Sequence, residues 1–253
     1  MADLQLEGKT ALVSAAGRGI GRGIALALAE AGANLIVNSY AEETTASTAE
    51  AVRALGREAV DAALAATADR LGGLDILVNN AGVYLGYGGP VRDITDAMWR
   101  KLWSVNVDGL FYCCRAAARI MIEAGRGGRI INLGSTQAVT PGVGVTYDGS
   151  KAAVAQITKA LALELAPHRI NVNTLAPGPT WVQGGEPPSV DGHPPPPTGD
   201  PLADTVADRI ARLPAGHWGD PMEQGKAAVF LASAMSDFVT GAYLPVDGGW
   251  LTL

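Results

Sequence analysis

Residues 10–31 read TALVSAAGRGIGRGIALALAEA, which is a short apolar run, a glycine-rich turn and a helical run in direct succession. Thr10–Ser14 predicts a strand, residues 15–21 the turn, and Arg22–Ala31 a helix. Glycines in this setting let the backbone approach a pyrophosphate, while the helix N-terminus offers free N–H groups and the positive end of its dipole. A glycine-rich turn alone is a weak signal, and the flanking strand and helix strengthen it. The predicted dinucleotide contacts are Ser14, Gly17, Arg18, Gly19, Ile20 and Gly21.

The rest of the chain repeats this alternation of strand and helix. Such alternation predicts a single α/β domain over residues 1–253 with a mostly parallel, doubly wound sheet. Residues 56–60 leave room for only a short third strand before a helical stretch from Asp61 to Leu71, so we expect that strand to be shortened or missing. The other predicted strands are Asn34–Val37, Asp75–Asn79, Arg129–Leu133, Ile170–Leu175 and Tyr243–Val246.

Composition excludes several classes of function. The chain has 253 residues, is 48% hydrophobic and carries a net charge of −6, which argues against nucleic acid or an anionic membrane as the main partner. It contains no apolar run of about 18 residues, and its first residues lack the pattern of a signal peptide. The adjacent Cys113 and Cys114 suit neither a disulfide nor a metal site, so we expect reduced thiols in a cytoplasmic protein and no bound metal.

The end of the second predicted strand bears on the choice of cofactor. Folds that bind NAD often place an acid there for the ribose 2′-hydroxyl, but this chain has Ser39 and no acid until Glu42. The guanidinium of Arg18, in the glycine-rich turn, is suited to a 2′-phosphate. We therefore predict NADP in preference to NAD, which stays possible. The alternative is that Arg18 is only a solvated loop residue.

Residues 147–151 read YDGSK, and Ser135 lies twelve residues before Tyr147. A phenol has a pKa of about 10, which makes it a poor acid or base at neutral pH. Lys151 lies one helical turn from Tyr147, so its charge is expected to favour the phenolate and lower the tyrosine's pKa. The Ser135 hydroxyl can hold a substrate oxygen near the phenol. This arrangement predicts proton transfer at an alcohol or carbonyl oxygen.

Further candidate residues follow the ends of predicted strands, at the sheet edge where open α/β folds bind ligands. Asn106 lies instead within an apolar helix predicted from about Thr95 to Ala124, where a polar amide is usually structural. The expected additional cofactor contacts are Asn80, Ala81, Gly82, Pro177, Gly178 and Thr180, besides Ser39, Tyr147 and Lys151. The expected substrate contacts are Ser135, Gln137, Tyr147 and Trp181.

The composition changes between Trp181 and Pro201. Proline pairs, a run of four prolines and several glycines exclude a helix or a central strand. The stretch follows a strand end at the ligand edge of the sheet, so we predict a substrate lid at about 181–201; a passive insertion is the alternative. The next stretch, Pro201–Leu213, is amphipathic and predicts a helix.

Taken together, these residues resemble the short-chain dehydrogenase/reductase family over almost the whole chain. The matching pieces are Ser14–Gly21, Asn79–Gly82, Asn106, Ser135, Tyr147 with Lys151, Pro177-Gly178 and Asp247–Gly249. Within the family, residues 212–219 and 246–250 are most similar to gluconate-type sugar-acid dehydrogenases, and the body equally to 3-oxoacyl-carrier-protein reductases.

The resemblance implies a Rossmann fold, usually tetrameric, that binds NAD(P). It also implies that Tyr147 is the general acid/base, that Ser135 holds the reacting oxygen, and that Lys151 holds the nicotinamide ribose. Asn106 is then catalytic, because it anchors a water that extends the proton relay. The expected function is interconversion of a secondary alcohol and a ketone, with a sugar acid, a 3-oxoacyl compound or a similar carbonyl as substrate.

The chain departs from the family's pattern in two main places. Ala15 stands where the family has the first glycine of the turn, and the region of the third strand is shorter. Both departures favour the rival hypothesis of a nucleotide-binding homologue with weak or no catalysis. The presence of Asn106, Ser135, Tyr147 and Lys151 together favours an enzyme.

Overall fold

The computed structural model describes residues 4–61, 73–84, 90–182, 190, 204, 207–208 and 210–253. The strands are β1 (Thr10–Ser14), β2 (Asn34–Asn38), β3 (Ala59–Asp61), β4 (Ile76–Asn79), β5 (Gly128–Leu133), β6 (Ile170–Pro177) and β7 (Tyr243–Val246). The α-helices are α1 (Gly19–Glu30), α2 (Glu42–Ala54), α3 (Asp96–Trp103), α4 (Leu110–Ala124), α5 (Val145–Leu165) and α6 (Pro221–Ala232). Short 3₁₀ turns span Val91–Asp93, Thr136–Ala138, Ala166–His168, Ala234–Ser236 and Trp250–Thr252.

The described strands form one parallel sheet in the order β3-β2-β1-β4-β5-β6-β7. Chain order reverses between β1 and β4, which are neighbours with Val13 opposite Val78. At such a reversal the connections leave in opposite directions and open a crevice beyond the carboxyl ends of the strands. The predicted doubly wound α/β sheet is confirmed, and the crevice lies where the glycine-rich turn follows β1.

Two apolar cores cover the two faces of the sheet. Successive side chains of a strand point to opposite faces, so Ala11 and Val13 of β1 pack in one core while Leu12 packs in the other. The first core is completed by α1, α2 and α6, and the second by α4 and α5. No described helix has the length and apolar character required to cross a lipid bilayer.

The third strand is shortened but present. β3 has three residues and pairs with β2 at the sheet edge, with Ala59 opposite Leu35. The prediction of a shortened strand is confirmed, and the alternative of a missing strand is wrong, because the edge of β2 is paired. The predicted helix does not begin at Asp61, which ends β3; its remaining residues, 62–71, lie outside the described part of the chain.

The helix predicted from Thr95 to Ala124 is formed by α3, a π-helical segment Ser104–Gly109, and α4. Thr95 caps its N-terminus by accepting a hydrogen bond from the Met98 N–H at 3.2 Å. Of the predicted lid at 181–201, residues 183–189 and 191–201 lie outside the described residues, as do most of the positions in the first half of the predicted helix 201–213.

Candidate active site

The N-terminus of α1 is left open at the mouth of the crevice. Arg18 occupies its N-cap position in an extended conformation, no side chain caps the first N–H groups, and no acid lies in the first turn. By contrast, Asp220 and Glu223 form a complete capping box on α6. The uncapped N–H groups and the exposed Arg18 side chain fit an anionic group such as a pyrophosphate.

The glycine-rich turn is packed against the start of α2. A Cβ on Gly17 would collide with the side chains of Ser39 and Thr44, so only glycine fits there. Thr48, fully buried on α2, donates its hydroxyl to the Ala16 carbonyl at 3.1 Å. The structure therefore places the Ser39 and Thr44 side chains directly against Gly17, the residue before Arg18.

Ala15 adopts a left-handed conformation with φ of 52°, which disfavours any residue with a Cβ.

We expect Ala15→Gly to raise the free energy of unfolding by about 0.5–1 kcal/mol, because relief of this strain outweighs the extra freedom glycine gives the unfolded chain. Chemical denaturation measures the change. The matched control is Ala16→Gly, at a fully buried neighbour without positive φ, which should destabilise the protein. Destabilisation by both variants would show that Ala15 is unstrained.

Ser14 and Asn80 join the turn after β1 to the turn after β4. The Ser14 hydroxyl accepts hydrogen bonds from the Asn80 and Ala81 N–H groups, both at 3.0 Å. The Asn80 amide donates to the carbonyls of Ser14 at 3.0 Å and Ala15 at 3.2 Å. Both residues were predicted to contact the cofactor; in the structure their side chains shape the crevice by holding its two loops together.

Ser135, Tyr147 and Lys151 meet at the carboxyl ends of β5 and β6. Tyr147 lies in the first turn of α5, where its phenol forms a hydrogen bond with the Ser135 side chain. The Lys151 ammonium lies 5.7 Å from the centroid of the Tyr147 ring and donates to the Leu133 carbonyl at 2.7 Å. Lys151 also lies beside Gly82, so the turn after β4 and the three polar side chains line one site.

Burial controls the protonation of this site. Burial raises the pKa of Tyr147 to about 12, and the hydrogen bond with Ser135 only partly opposes it. Burial likewise lowers the pKa of Lys151 to about 8. The expectation that Lys151 lowers the pKa of Tyr147 is therefore wrong for the described residues, because the ammonium points at a carbonyl and the face of the ring, and desolvation dominates.

Asn106 is buried in the π-helical segment and ties three elements together. Its amide donates to the Val83 carbonyl at 3.0 Å and to the Ser150 hydroxyl at 3.1 Å, and its oxygen accepts from the Val83 N–H at 2.8 Å. Ser150 in turn donates to the Tyr147 carbonyl at 2.7 Å. Asn106 thus fixes the turn that carries Tyr147, and π-helical segments often occur at functional sites.

Two predicted site residues pack against aromatic residues that the sequence did not identify. Tyr84 packs edge-on against Tyr147, with ring centroids 5.8 Å apart, and Trp218 packs edge-on against the predicted contact Trp181 at 5.6 Å. The predicted contact Gln137 donates its backbone N–H to the Ser135 hydroxyl at 3.2 Å.

The other predicted cofactor contacts form the wall opposite the glycine-rich turn. Pro177 ends β6, and the Gly178 N–H donates to the Val246 carbonyl at 3.1 Å. The Thr180 hydroxyl donates to the Gly178 carbonyl at 3.1 Å. Val182 then lies directly over Gly19. Among the described residues no group of three or more potential ligands could hold a metal ion.

Comparison with known proteins assigns this arrangement to a family. A family model described as enoyl-(acyl carrier protein) reductase matches residues 14–251. The chain belongs to the short-chain dehydrogenase/reductase family. The predicted family is thereby confirmed, and the chain is an oxidoreductase of this family.

Individual relatives match over nearly their whole length. The chain is 35% identical to 2-dehydro-3-deoxy-D-gluconate 5-dehydrogenase of Escherichia coli (strain K12), covering 97% of this chain and 96% of that protein. It is 35% identical to 3-oxoacyl-[acyl-carrier-protein] reductase of Vibrio harveyi, covering 97% and 98%. The crystal structure of a gluconate 5-dehydrogenase from Burkholderia cenocepacia J2315, in complex with NADP and tartrate, superposes with a TM-score of 0.83, 36% identity and coverage of 99% and 98%.

Proposed function

We propose that this protein is an NADP-dependent oxidoreductase that interconverts a secondary alcohol and a ketone on a sugar acid or a related polyhydroxylated substrate. The observation that carries the proposal is the hydrogen-bonded pair of Ser135 and Tyr147, with Lys151 beneath the phenol ring, at the crevice of the parallel sheet. The sugar-acid substrate is supported by the dehydrogenase relatives named above.

In the direction of ketone reduction, Ser135 and Tyr147 together hold the carbonyl oxygen of the substrate. NADPH, when bound in the crevice, would supply the hydride for the carbonyl carbon. Tyr147 gives its proton to the oxygen as negative charge develops there. Its raised pKa of about 12 keeps the phenol protonated at neutral pH, which suits this direction. Lys151, with its pKa lowered to about 8, is mostly protonated at neutral pH and is proposed to hold the nicotinamide ribose.

In this proposal Asn106 and Lys151 restore the proton to Tyr147. Asn106 holds the Tyr147 turn through Ser150 and lies beside Gly82, which also adjoins the Lys151 ammonium. A water held near these polar groups would connect Lys151 to solvent. Trp181 and Gln137 are proposed to contact the substrate beyond its reacting carbon.

We propose that the pyrophosphate of NADP lies on the N-terminus of α1. Arg18 and Ser39 then contact the phosphate on the ribose 2′-oxygen of the cofactor. Among the described residues no carboxylate lies within ion-pair distance of Arg18. We expect Arg18→Ala to raise the KM for NADPH by about tenfold to a hundredfold, with little change for NADH, because a charge-assisted contact to phosphate is lost. The NADH measurement on the same variant is the control. Equal effects on both cofactors, or a wild-type kcat/KM that favours NADH, would contradict the assignment.

A reductase assay over several substrate classes tests the proposed function. NADPH oxidation is followed with 2-keto and 5-keto sugar acids, ketoses, 3-oxoacyl thioesters and simple ketones. We expect keto sugar acids to give the highest kcat/KM. A preference for 3-oxoacyl thioesters would favour the second class of relative. NADPH binding without turnover of any carbonyl would favour the nucleotide-binding homologue and overturn the proposal.

We also propose a homotetramer. Helices α4 and α5 expose apolar side chains that neither core covers, including Leu163 at 82% exposure, Tyr112 at 56% and Phe111 at 41%. Faces of this kind typically pair between subunits and bury more than about 1,000 Å². Light scattering should give a mass near four times 26.0 kDa, and Leu163→Asp should lower it. A wild-type monomer at micromolar concentration would contradict this prediction.

A further inference from the structure

Tyr243 reaches the candidate active site from the far edge of the sheet. It is the first residue of β7 and lies opposite Thr174 of β6. Its ring crosses the end of β6 to lie beside Gly134, and its hydroxyl donates a hydrogen bond to the backbone carbonyl of Ser135. The two residues are 108 positions apart in sequence, so the bond joins distant parts of the chain at the site.

Ser135 needs such an anchor because it lies just beyond a strand end. β5 ends at Leu133, and Ser135 is an extended residue before the 3₁₀ turn. Its carbonyl also accepts from the Ala138 N–H at 2.9 Å, and its hydroxyl accepts from the Gln137 N–H at 3.2 Å. Both of these bonds lie within the turn itself. Tyr243 instead connects Ser135 to the next-but-one strand of the sheet and fixes the direction in which its side chain leaves the backbone.

We propose that Tyr243 is a positioning residue that acts through Ser135, holding the serine hydroxyl where it meets Tyr147 and the substrate oxygen. The inference rests on the proposed function. Tyr243 is suited to this task because burial and, to a smaller extent, the nearby Asp247 carboxylate raise its pKa to about 12, so the phenol stays a donor over the working pH range. Tyr243 itself transfers no proton to the substrate.

The test is a double-mutant cycle of Tyr243→Phe and Ser135→Ala, with Tyr112→Phe, on α4 and outside the candidate site, as the matched control. We expect Tyr243→Phe alone to lower kcat about tenfold, because one hydrogen bond that orients a reacting group is lost. The dissociation constant for NADPH, measured by fluorescence, should stay within about twofold. In the Ser135→Ala background the same change should have almost no further effect on residual turnover, because the group that Tyr243 positions is gone.

Two kinetic outcomes would overturn the inference. The first is a wild-type kcat in Tyr243→Phe. The second is that Tyr243→Phe lowers kcat by the same factor with and without the Ser135 hydroxyl, because an equal loss would indicate a general structural role. Hydrogen exchange provides a readout that needs no substrate. Peptides covering residues 134–139 should exchange faster in Tyr243→Phe than in Tyr112→Phe, and unchanged exchange would also overturn it. If wild-type protein turns over no carbonyl, the proposed function fails, while the exchange experiment still decides whether Tyr243 holds Ser135.

Discussion

Replacing Tyr147 with phenylalanine is expected to lower kcat by about 10³-fold or more, while folding and NADPH binding stay nearly unchanged. The substitution removes one oxygen atom from a half-buried ring that keeps its contact with Tyr84. The phenol is the group placed to give a proton to the substrate oxygen, and Ser135, which remains, can hold that oxygen but is a far weaker acid. Steady-state kinetics with the best carbonyl substrate and a fluorescence titration with NADPH measure the two effects separately.

The control for this variant is again Tyr112→Phe, which removes an equivalent hydroxyl from a ring on α4, outside the candidate site. It should retain wild-type kcat. If Tyr147→Phe keeps more than a few per cent of wild-type kcat, Tyr147 is not the acid/base. If the variant instead fails to bind NADPH, the loss of turnover reports on the crevice and not on proton transfer.

Replacing Lys151 with methionine is expected to lower kcat by about 10²-fold or more and at the same time to stabilise the protein near neutral pH. Lys151 is buried, and its pKa falls from 10.5 to about 8 for that reason. A drop of this size corresponds to about 3 kcal/mol of destabilisation, of which methionine removes most. Loss of the hydrogen bond to the Leu133 carbonyl lowers stability by about 1 kcal/mol, so the free energy of unfolding should rise by roughly 2 kcal/mol overall.

The pH dependence of stability distinguishes this explanation from simple repacking. Below about pH 8 Lys151 is protonated in both states, and the folded state bears the full desolvation cost. Between about 8 and 10.5 the unfolded chain binds more protons than the folded one, so the wild type gains stability as pH rises. The difference in free energy of unfolding between Lys151→Met and wild type should therefore narrow when denaturation is repeated from about pH 7 to about pH 9, where free tyrosines are still mostly protonated.

Lys226→Met, at an exposed position of α6, is the matched control for Lys151→Met. It should change neither kcat nor the pH dependence of stability. A constant gap between Lys151→Met and wild type across the pH range would show that the buried ammonium is not the source of the stabilisation. A Lys151→Met variant that is less stable than wild type at every pH would contradict the expectation entirely.

The parts of the fold that a local pattern specifies were predictable from the sequence. The apolar runs at β1, β4 and β5, and the cap residues of α6 at Asp220 and Glu223, specify their elements through nearest neighbours alone. The boundaries of β3 were not predictable, because a three-residue edge strand is held by its pairing with β2 and not by its own composition. The spacing of Tyr147 and Lys151 indicated that the two belong to one site, but not where the ammonium points.

The candidate site also contains residues whose roles only the three-dimensional arrangement reveals. Thr48 reads as an ordinary helical position, and its bond to Ala16 crosses 32 residues of sequence. Tyr243 reads as a strand residue, and its bond to Ser135 depends on the width of β6 between them. The turn motif identified Ser14 as a site residue. Whether its hydroxyl faces a ligand or the Asn80 loop depends on the packing of β1 against β4, which the motif does not specify.

Transfer of deuterium from NADPH that carries deuterium at both C4 positions tests the proposed chemistry most directly. The protein is incubated with labelled NADPH and the best keto substrate in ordinary water, and the alcohol product is analysed by mass spectrometry and NMR. Hydride transfer at the crevice, with Tyr147 supplying the proton, predicts one deuterium on the carbinol carbon and none on its oxygen, with product formation nearly abolished in Tyr147→Phe. An alcohol without deuterium at that carbon, or equal product from the Tyr147→Phe variant, would contradict the proposed reaction.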